Sequence, residues 1–527
     1  MTDERKKLKP VAKRRYGAGG RAVRIRTESN GLRPLKTVII VLMIALQIGF
    51  LITLNVLFSL AFKVYLILSF TLSLLTCVYC LSSQRNGLSK AVWIMLLLLG
   101  FSFGFIIYLM SDERIFFHRA KKRYRAVFGR TDKYCPEYAA SDASEEVEND
   151  CRYLYSAGKF AAYKDTAVRY FPSGAQLFDD VLKRLETAEK FVFIEYFIIA
   201  DGVLLNRALD VLEPKAQSGV DVRIIYDDMG SHSVLSRKAK KRMKSAGIKL
   251  TAYNRLVPRF NVELNFRDHR KMIIVDGKTA YTGGSNLADE YVNEKRMHGY
   301  WKDTGLRMDG AAVDGLSLIF LRQWEYLTKK AEEYEPFFNN FERFENSSVV
   351  VPYADGLDFE KPVGKNVYEN VICGANRQLW IMTPYFIPDD TITGLLKNKA
   401  AAGVDVRIIL PAVPDKIFTY AVTRNNAEKL LSCGVKVYCM KHSFVHSKLV
   451  LSENCAVVGS INFDLRSFYQ QFECGVYTND SGVLADVEND FVNTFVKCQL
   501  IDETNGKRAK LYNRIFAGVL QVFAPLM

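Results

Sequence analysis

Apolar positions are spread very unevenly along this chain. Three predominantly apolar runs, Val38–Phe58, Val64–Leu81 and Ala91–Met110, approach or exceed the roughly 18 residues needed for a membrane-spanning helix. Between Thr37 and Met110 no residue is acidic, and only Lys63, Arg85 and Lys90 are basic. The polar break from Ser82 to Gly87 reads as a hairpin turn between the last two runs, whereas only Lys63 interrupts the first two. Further on the pattern changes. Short apolar strands alternate with helical stretches, the signature of an α/β sandwich with a largely buried sheet.

That second region repeats itself. Gly219–Ile225 and Gly403–Ile409 are the same seven residues, Gly-Val-Asp-Val-Arg-Ile-Ile. Each copy follows an apolar strand ending in Tyr-Phe-Ile (Phe191–Ile198 and Leu379–Ile387) and precedes a Gly-Ile/Val-Lys element. Each half therefore reads strand, helix, strand, helix, strand, hairpin. The predicted organisation is a basic tail (1–36), a membrane segment of two to three helices (37–110), a basic juxtamembrane linker (111–165), and two α/β halves (166–346 and 347–527). Ser347–Lys365 is read as the linker between the halves.

Charge refines this picture. The net charge of +15 is concentrated in and around the membrane segment: residues 1–36 carry +9, 37–110 carry +3 and 111–130 carry +5, leaving 131–527 at −2. A slightly acidic catalytic part argues against a nucleic-acid groove. The basic flanks fit anionic lipid headgroups or positive-inside signalling. Both flanks ask to be cytoplasmic, which needs an even number of crossings, yet there are three runs. Either one run is re-entrant or interfacial, or one flank is translocated. The ten cysteines show no repeated pair spacing, the one CxxC, Cys77–Cys80, lies inside an apolar run, and all ten read as mostly reduced packing residues.

The chemistry lies in the two hairpins. The first holds His269-Arg270-Lys271, Asp276 and Gly283-Gly284-Ser285-Asn286; the second holds His446-Ser447-Lys448, Glu453 and Gly459-Ser460-Ile461-Asn462. Side chains alternate along a strand, so His269 and Lys271 share a face, as do His446 and Lys448. Imidazole can act as a nucleophile or a proton donor near neutral pH, and lysine and asparagine can hold phosphate oxygens. Asp276-Gly277 is a hairpin signal, and glycines beside the asparagine would let backbone approach a phosphate. Two such sets suggest one phosphodiester site built from two halves. Glu195 is open to a substrate-facing or a structural role, and Asp227-Asp228 reads as a capping pair.

The HxK, acid and Gly/Asn pattern resembles the phospholipase D superfamily, and specifically bacterial cardiolipin synthases. Asn265–Lys271, Thr282–Leu287, Tyr300–Thr304, Pro384–Asp389, Arg466-Ser467-Phe468 and the ending Phe523–Leu526 carry the closer likeness. The resemblance implies two phospholipase D-like halves closed face to face, no metal or other cofactor, and a membrane enzyme acting on phosphatidylglycerol to give cardiolipin and glycerol. It implies His269, Lys271, Asp276, His446, Lys448 and Glu453 as the catalytic set, with His269 preferred as nucleophile and His446 as general acid/base. Asn286, Asn462 and Ser460 would bind the phosphate, and Asp303 and Glu473 would orient the histidines. Glu453 departs from the family's usual aspartate, and the second turn is one residue shorter. A hydrolase or other phosphodiesterase, and a non-catalytic lipid-binding relative, are the alternatives. The expected location is the cell membrane, multi-pass, with the catalytic part cytoplasmic.

Overall fold

The repeated heptapeptide builds the same strand twice, with the same internal ion pair. In the computed structural model Asp221–Asp227 and Asp405–Pro411 are central strands. Asp and Arg two residues apart share a face of the strand. Arg223 Nη2 lies 2.8 Å from Asp221 Oδ2, and Arg407 Nη2 lies 2.6 Å from Asp405 Oδ2. Aromatic rings cover both guanidinium groups, Phe193, Trp324 and Phe337 over Arg223 and Trp380 and Phe495 over Arg407.

The structure describes residues 33–57, 59–83, 87–111, 118–139, 143–255, 266–356, 362–501, 518, 520 and 521. Most of the basic tail, the middle of the Ser82–Gly87 turn, Asn265 and the Phe523–Leu526 ending lie outside the described residues. Residues 1–69 form one compact unit and 70–527 another. The three apolar runs are helical: α1 (Arg33–Leu57), α2 (Ser59–Ser82, which takes in Lys63) and α3 (Gly87–Ser111). In the first unit Phe50 and Tyr65 meet edge to face at 5.6 Å.

The stretch 111–165, expected as a linker, carries two helices, α4 (His118–Thr131) and α5 (Glu145–Gly158). Both dock on the catalytic part. Tyr124 of α4 contacts Tyr326 and Phe472, and Val147, Cys151 and Leu154 of α5 enter the main core.

The first sheet is built from β1 (Thr166–Phe171), β2 (Phe191–Tyr196), β3 (Asp221–Asp227), β4 (Lys249–Tyr253), β5 (Lys271–Val275), β6 (Thr279–Gly283) and β7 (Gly305–Gly310). Its order is β1-β7-β6-β5-β2-β3-β4. The second uses β8 (Val350–Ala354), β9 (Gln378–Met382), β10 (Asp405–Pro411), β11 (Lys436–Met440), β12 (Leu449–Ser452), β13 (Ala456–Gly459), β14 (Cys474–Thr478) and β15 (Cys498–Ile501). Its order, β8-β14-β13-β12-β9-β10-β11-β15, repeats the first with one strand added. The supposed inter-half linker Ser347–Lys365 is thus corrected: it contains β8, fully buried and paired with β14, and the start of a helix, Val363–Gly374. Pro352 and the short run hid the strand, which is buried on both faces and so shows no alternation.

One apolar core lies between the sheets. Phe193, Met272, Ile274, Leu306 and Met308 of the first pack in the same cluster as Val351, Val450, Val457 and Val476 of the second. A nearly all-buried helix, Ala312–Thr328, joins them, and Phe320 stacks on Phe193 at 4.5 Å. The aromatic stretch after it packs here too, with Phe337 against Phe191 at 5.0 Å.

Arg223 also pairs with Glu332 at 2.9 Å, and its side chain is 7% exposed against 27% for Arg407. Arg223→Ala should therefore cost about 3 kcal/mol, since it takes the guanidinium from Glu332 and leaves Asp221 with only the more exposed Lys249. Arg407→Ala should cost about 1 kcal/mol. Thermal unfolding of the detergent-solubilised variants checks this order.

Candidate active site

Each histidine is placed by a strand pairing that crosses between the halves. Arg267-Asp268 runs parallel to Gln471-Phe472, and the His269 N–H continues that ladder to the Phe472 carbonyl at 2.8 Å. The next residue, Glu473, brings its carboxylate to 2.9 and 3.0 Å from His269 Nδ1. The second half reverses the roles. Ser443–Val445 runs parallel to Tyr300–Lys302, the His446 N–H donates to the Lys302 carbonyl at 2.7 Å, and Asp303 Oδ2 lies 2.8 Å from His446 Nδ1. Asp303 and Glu473 are thus paired crosswise, each orienting the histidine of the opposite half. An Nδ1–H held by a carboxylate leaves Nε2 with its lone pair. The rings are clamped edge-on, His269 by Phe197 at 5.1 Å and His446 by Tyr291 at 5.2 Å.

Both lysines are 1% exposed. Lys271 Nζ donates to the His269 carbonyl at 2.6 Å, and Lys448 Nζ donates to the His446 carbonyl. Lys448 Nζ also lies 2.8 Å from His446 Nδ1. That nitrogen cannot donate to Asp303 and accept from Lys448 together; the carboxylate is the stronger partner, and the carbonyl already serves the ammonium. Burial is the main force on all four groups. It pushes Lys271 down to about 8 and Lys448 down to about 7. Burial and the neighbouring lysines hold His269 well below the usual imidazole range and bring His446 down to about 4. The two acids differ. Burial pushes the Glu473 carboxyl well up, against the pull of Lys271 and two serines. At Asp303 burial is outweighed by His446, Lys448 and the Thr304 N–H, which hold the carboxyl below its ordinary value.

The phosphate-binding candidates divide. Asn286 Oδ1 accepts the Ile198 N–H at 3.1 Å and its Nδ2 donates to the Tyr291 hydroxyl at 2.7 Å, which leaves one N–H uncommitted. Asn462 Oδ1 is buried without a partner among the described residues. Ser460 is corrected. Its hydroxyl donates to Glu473 Oε2 at 2.5 Å and accepts the Cys474 N–H at 2.9 Å, so it supports the acid rather than a ligand. The glycines are corrected as well. A Cβ on Gly284 would stand 2.1 Å from Asp303 Oδ1, and one on Gly459 would stand 2.3 Å from the Cys474 carbonyl. They make room for the strand that carries each acid.

Asp276 and Glu453 do not belong with the catalytic groups. Asp276 follows the inner end of β5, about 17 Å of strand from Lys271. Its carboxylate accepts the backbone N–H groups of Glu189, Lys190 and Phe191 at 2.7–2.8 Å. Glu453 accepts those of Asn376, Arg377 and Gln378 at 2.6–3.3 Å. Each clamps the start of the central strand to the histidine hairpin. The glutamate has the longer arm because its turn is tighter: β5 and β6 pair at Val275–Thr279, whereas Ser452 N–H closes directly onto Cys455. Glu195 is fully buried, with its carboxylate 3.8 Å from Arg270 Nη1. Asp227 caps Met229 and Gly230 and faces Arg267 at 3.5 Å, in keeping with a capping pair.

Three participants escaped the sequence reading. Ser467 donates to Glu473 Oε1 at 2.7 Å. Arg270 ties the halves together, its Nη2 donating to the Asp355 carbonyl at 2.7 Å and its Nε to the Glu473 carbonyl at 3.4 Å. Arg466 adds positive charge to the field that depresses His269. All three stood inside quoted motifs, which was the available signal.

Comparison with known proteins agrees with this geometry. A family model described as cardiolipin synthase, PLD-like domain, matches residues 181–297 and 368–495. An uncharacterized protein of Streptococcus mutans is 37% identical over 459 residues, 85% of this chain and 99% of that one. A cardiolipin synthase of Listeria monocytogenes is 32% identical over 455 residues, 83% of this chain and 94% of its own. Cardiolipin synthase 2 of Bacillus cereus is 31% identical over 472 residues, 87% and 91% of the two chains. Among solved structures, the phosphatidylserine synthase of Haemophilus influenzae shares the fold at a TM-score of 0.56 and 15% identity, covering 72% of this chain and 98% of that one.

Two outcomes follow from the site. Asp276→Ala orphans three backbone N–H groups and should cost about 1–3 kcal/mol of stability per unsatisfied group. Its kcat should stay within about threefold of wild type, against the loss of at least about 100-fold expected of an acid–base group. The pH profile of kcat/KM should fall gradually above about 4, where His446 of the free protein loses the proton that a general acid needs, and more steeply beyond pH 7–8, where Lys448 and Lys271 lose theirs. An acid limb, from protonation of His269, should lie well below pH 6.5. A basic limb only near the ordinary lysine value would contradict this.

Proposed function

The chain belongs to the cardiolipin synthase family of phospholipase D-like phosphatidyltransferases, and from that premise we propose that it condenses two phosphatidylglycerol molecules to cardiolipin and glycerol through a phosphohistidine. The observation that carries the reading is the crossed pair of histidine–carboxylate dyads flanked by two buried lysines.

The asymmetry between the dyads supports His269 as nucleophile. Three cations, Lys271, Lys448 and Arg466, bear on His269, and its own carboxylate resists ionisation. A neutral Nε2 lone pair is therefore kept available. It attacks phosphorus and expels the headgroup glycerol oxygen, splitting one displacement into two. His446 faces an ionised Asp303, which favours an imidazolium. In the empty cleft His446 is neutral; the arriving phosphodiester adds the negative charge that brings a proton to its Nε2. That proton goes to the leaving glycerol. His446 then takes the hydroxyl proton of the second phosphatidylglycerol, whose oxygen attacks the phosphohistidine and frees His269. Lys271, Lys448 and the amide of Asn286 stabilise charge on the non-bridging oxygens. The dry setting of these groups favours a lipid alcohol over water as acceptor.

The non-catalytic alternative rested on Glu453 and the short second turn. Both are absorbed by the backbone clamp that Glu453 makes.

The test is product analysis in proteoliposomes containing phosphatidylglycerol. Wild type should give cardiolipin and glycerol in equal amounts. His269→Ala and His446→Ala should each lose at least about 1,000-fold in kcat. Phosphatidic acid as the main product would make the protein a hydrolase. Cardiolipin formed at undiminished rate by either variant would overturn the mechanism.

A further inference from the structure

The third apolar run passes as a membrane span by length and composition, Gly87–Leu109, but its backbone does not run straight. Phe101 sits at φ 38°, ψ −118°, outside helical space and in a region that a bulky residue rarely enters. In an unbroken helix residues 93 and 108 would be about 22 Å apart along the axis. Here the rings of Trp93 and Tyr108 meet edge to face at 5.2 Å. A Cβ on Gly104 would stand 2.4 Å from the carbonyl oxygen of Leu96, where a straight helix would set the two residues about 12 Å apart. The chain therefore doubles back at Phe101 into two arms, Gly87–Gly100 and Ser102–Ser111.

Helix α2 measures how deep the hairpin goes. Phe101, at the tip, meets Phe70 at 6.2 Å, whereas Tyr108, on the returning arm, has come back to Tyr79 at 6.5 Å. Phe70 lies about 18 Å of helix from Ser82, a little over half of a hydrocarbon layer of about 30 Å. Cys77, Cys80, Leu97 and Tyr108 are buried together, while Leu98, Leu99, Ile106 and Leu109 stay exposed on the outside. At the foot of the hairpin Lys90 donates to the Leu81 carbonyl at 2.8 Å, and Leu88 packs on Ile387, Val422 and Leu465 of the catalytic part.

We propose that α3 is a re-entrant hairpin, which dips into one leaflet and returns to the side it left, anchoring the catalytic part to the acyl chains of that leaflet. The partner is lipid because the hairpin exposes Leu98, Leu99, Ile106 and Leu109 and has no charged residue between Ala91 and Ser111. The end of α2, the foot of α3 and the basic helix α4 then share one face of the membrane. A run that returns to the side it left adds no crossing, which removes the conflict between three apolar runs and an even crossing number.

The test uses the full-length protein in sealed vesicles of both orientations, labelled with a membrane-impermeant maleimide–polyethylene glycol. Gly87→Cys and Lys122→Cys each add one exposed thiol, and native Cys373, exposed on the catalytic part, marks its own side. Both new cysteines should label from the side that labels Cys373. Labelling of Gly87→Cys from the opposite side to Lys122→Cys would mean that α3 crosses, and would overturn the proposal. An independent arm compares Gly104→Leu with Gly49→Leu, which has nothing within 4 Å of its Cβ. Gly104→Leu should lower membrane yield several-fold while Gly49→Leu leaves it unchanged; equal yields would count against the hairpin.

Discussion

Everything at the site depends on two short parallel pairings between the halves. Three consecutive backbone positions, Arg267, Asp268 and His269, are read against Gln471 and Phe472 of the other half, and Ser443–His446 against Tyr300–Lys302. A one-residue slip in either would turn the histidine away from its carboxylate, because side chains alternate along a strand. Each half thus supplies one imidazole and the acid for the other. Neither half contains a complete dyad, which makes the interface between them part of the chemistry.

The constraint is tightened from both ends. At the inner end of each hairpin, Asp276 or Glu453 gathers three backbone N–H groups and locks the hairpin to the central strand. At the outer end, Gly284 and Gly459 let the acid-bearing strand come closer than any side chain would permit. Ser460 and Ser467 then fix both oxygens of Glu473, while Thr304 N–H holds Asp303 at 2.9 Å. This over-determination is what allows two lysines and two imidazoles to stay crowded in a buried space where each raises the cost of charging the others. An anion held among these groups would lower that cost.

The sequence made the repeat, the fold class, both histidines, both lysines and both orienting acids legible, because each follows from spacing along one strand or from a motif. It did not reveal the crossed pairing of the acids, since nothing local in Asp303 or Glu473 says which half's imidazole it will meet. The same blindness explains Ser460 and Asp276. A polar residue beside a motif looks like a ligand group until the backbone it satisfies comes into view, and those amides lie about 80 residues or more away in sequence for Asp276. The strand hidden in Ser347–Lys365 failed for a different reason: a strand buried on both faces has no period to read.

The membrane segment shows where composition stops being informative. Hydropathy counts apolar residues and cannot see direction, so a helix that crosses and a hairpin that returns look identical. The charge distribution does carry direction, and with both basic flanks on the cytoplasmic side it calls for an even number of crossings. The proposed reversal at Phe101 meets that count, with a bulky residue held outside helical space at the turn. The hairpin packs its own arms together through Trp93, Gly104 and Tyr108, and it leans on α2 through Phe70 and Tyr79. The foot of the hairpin rests on Ile387, Val422 and Leu465, so the apolar segment is joined to the α/β halves by direct side-chain packing rather than only through the chain that follows it.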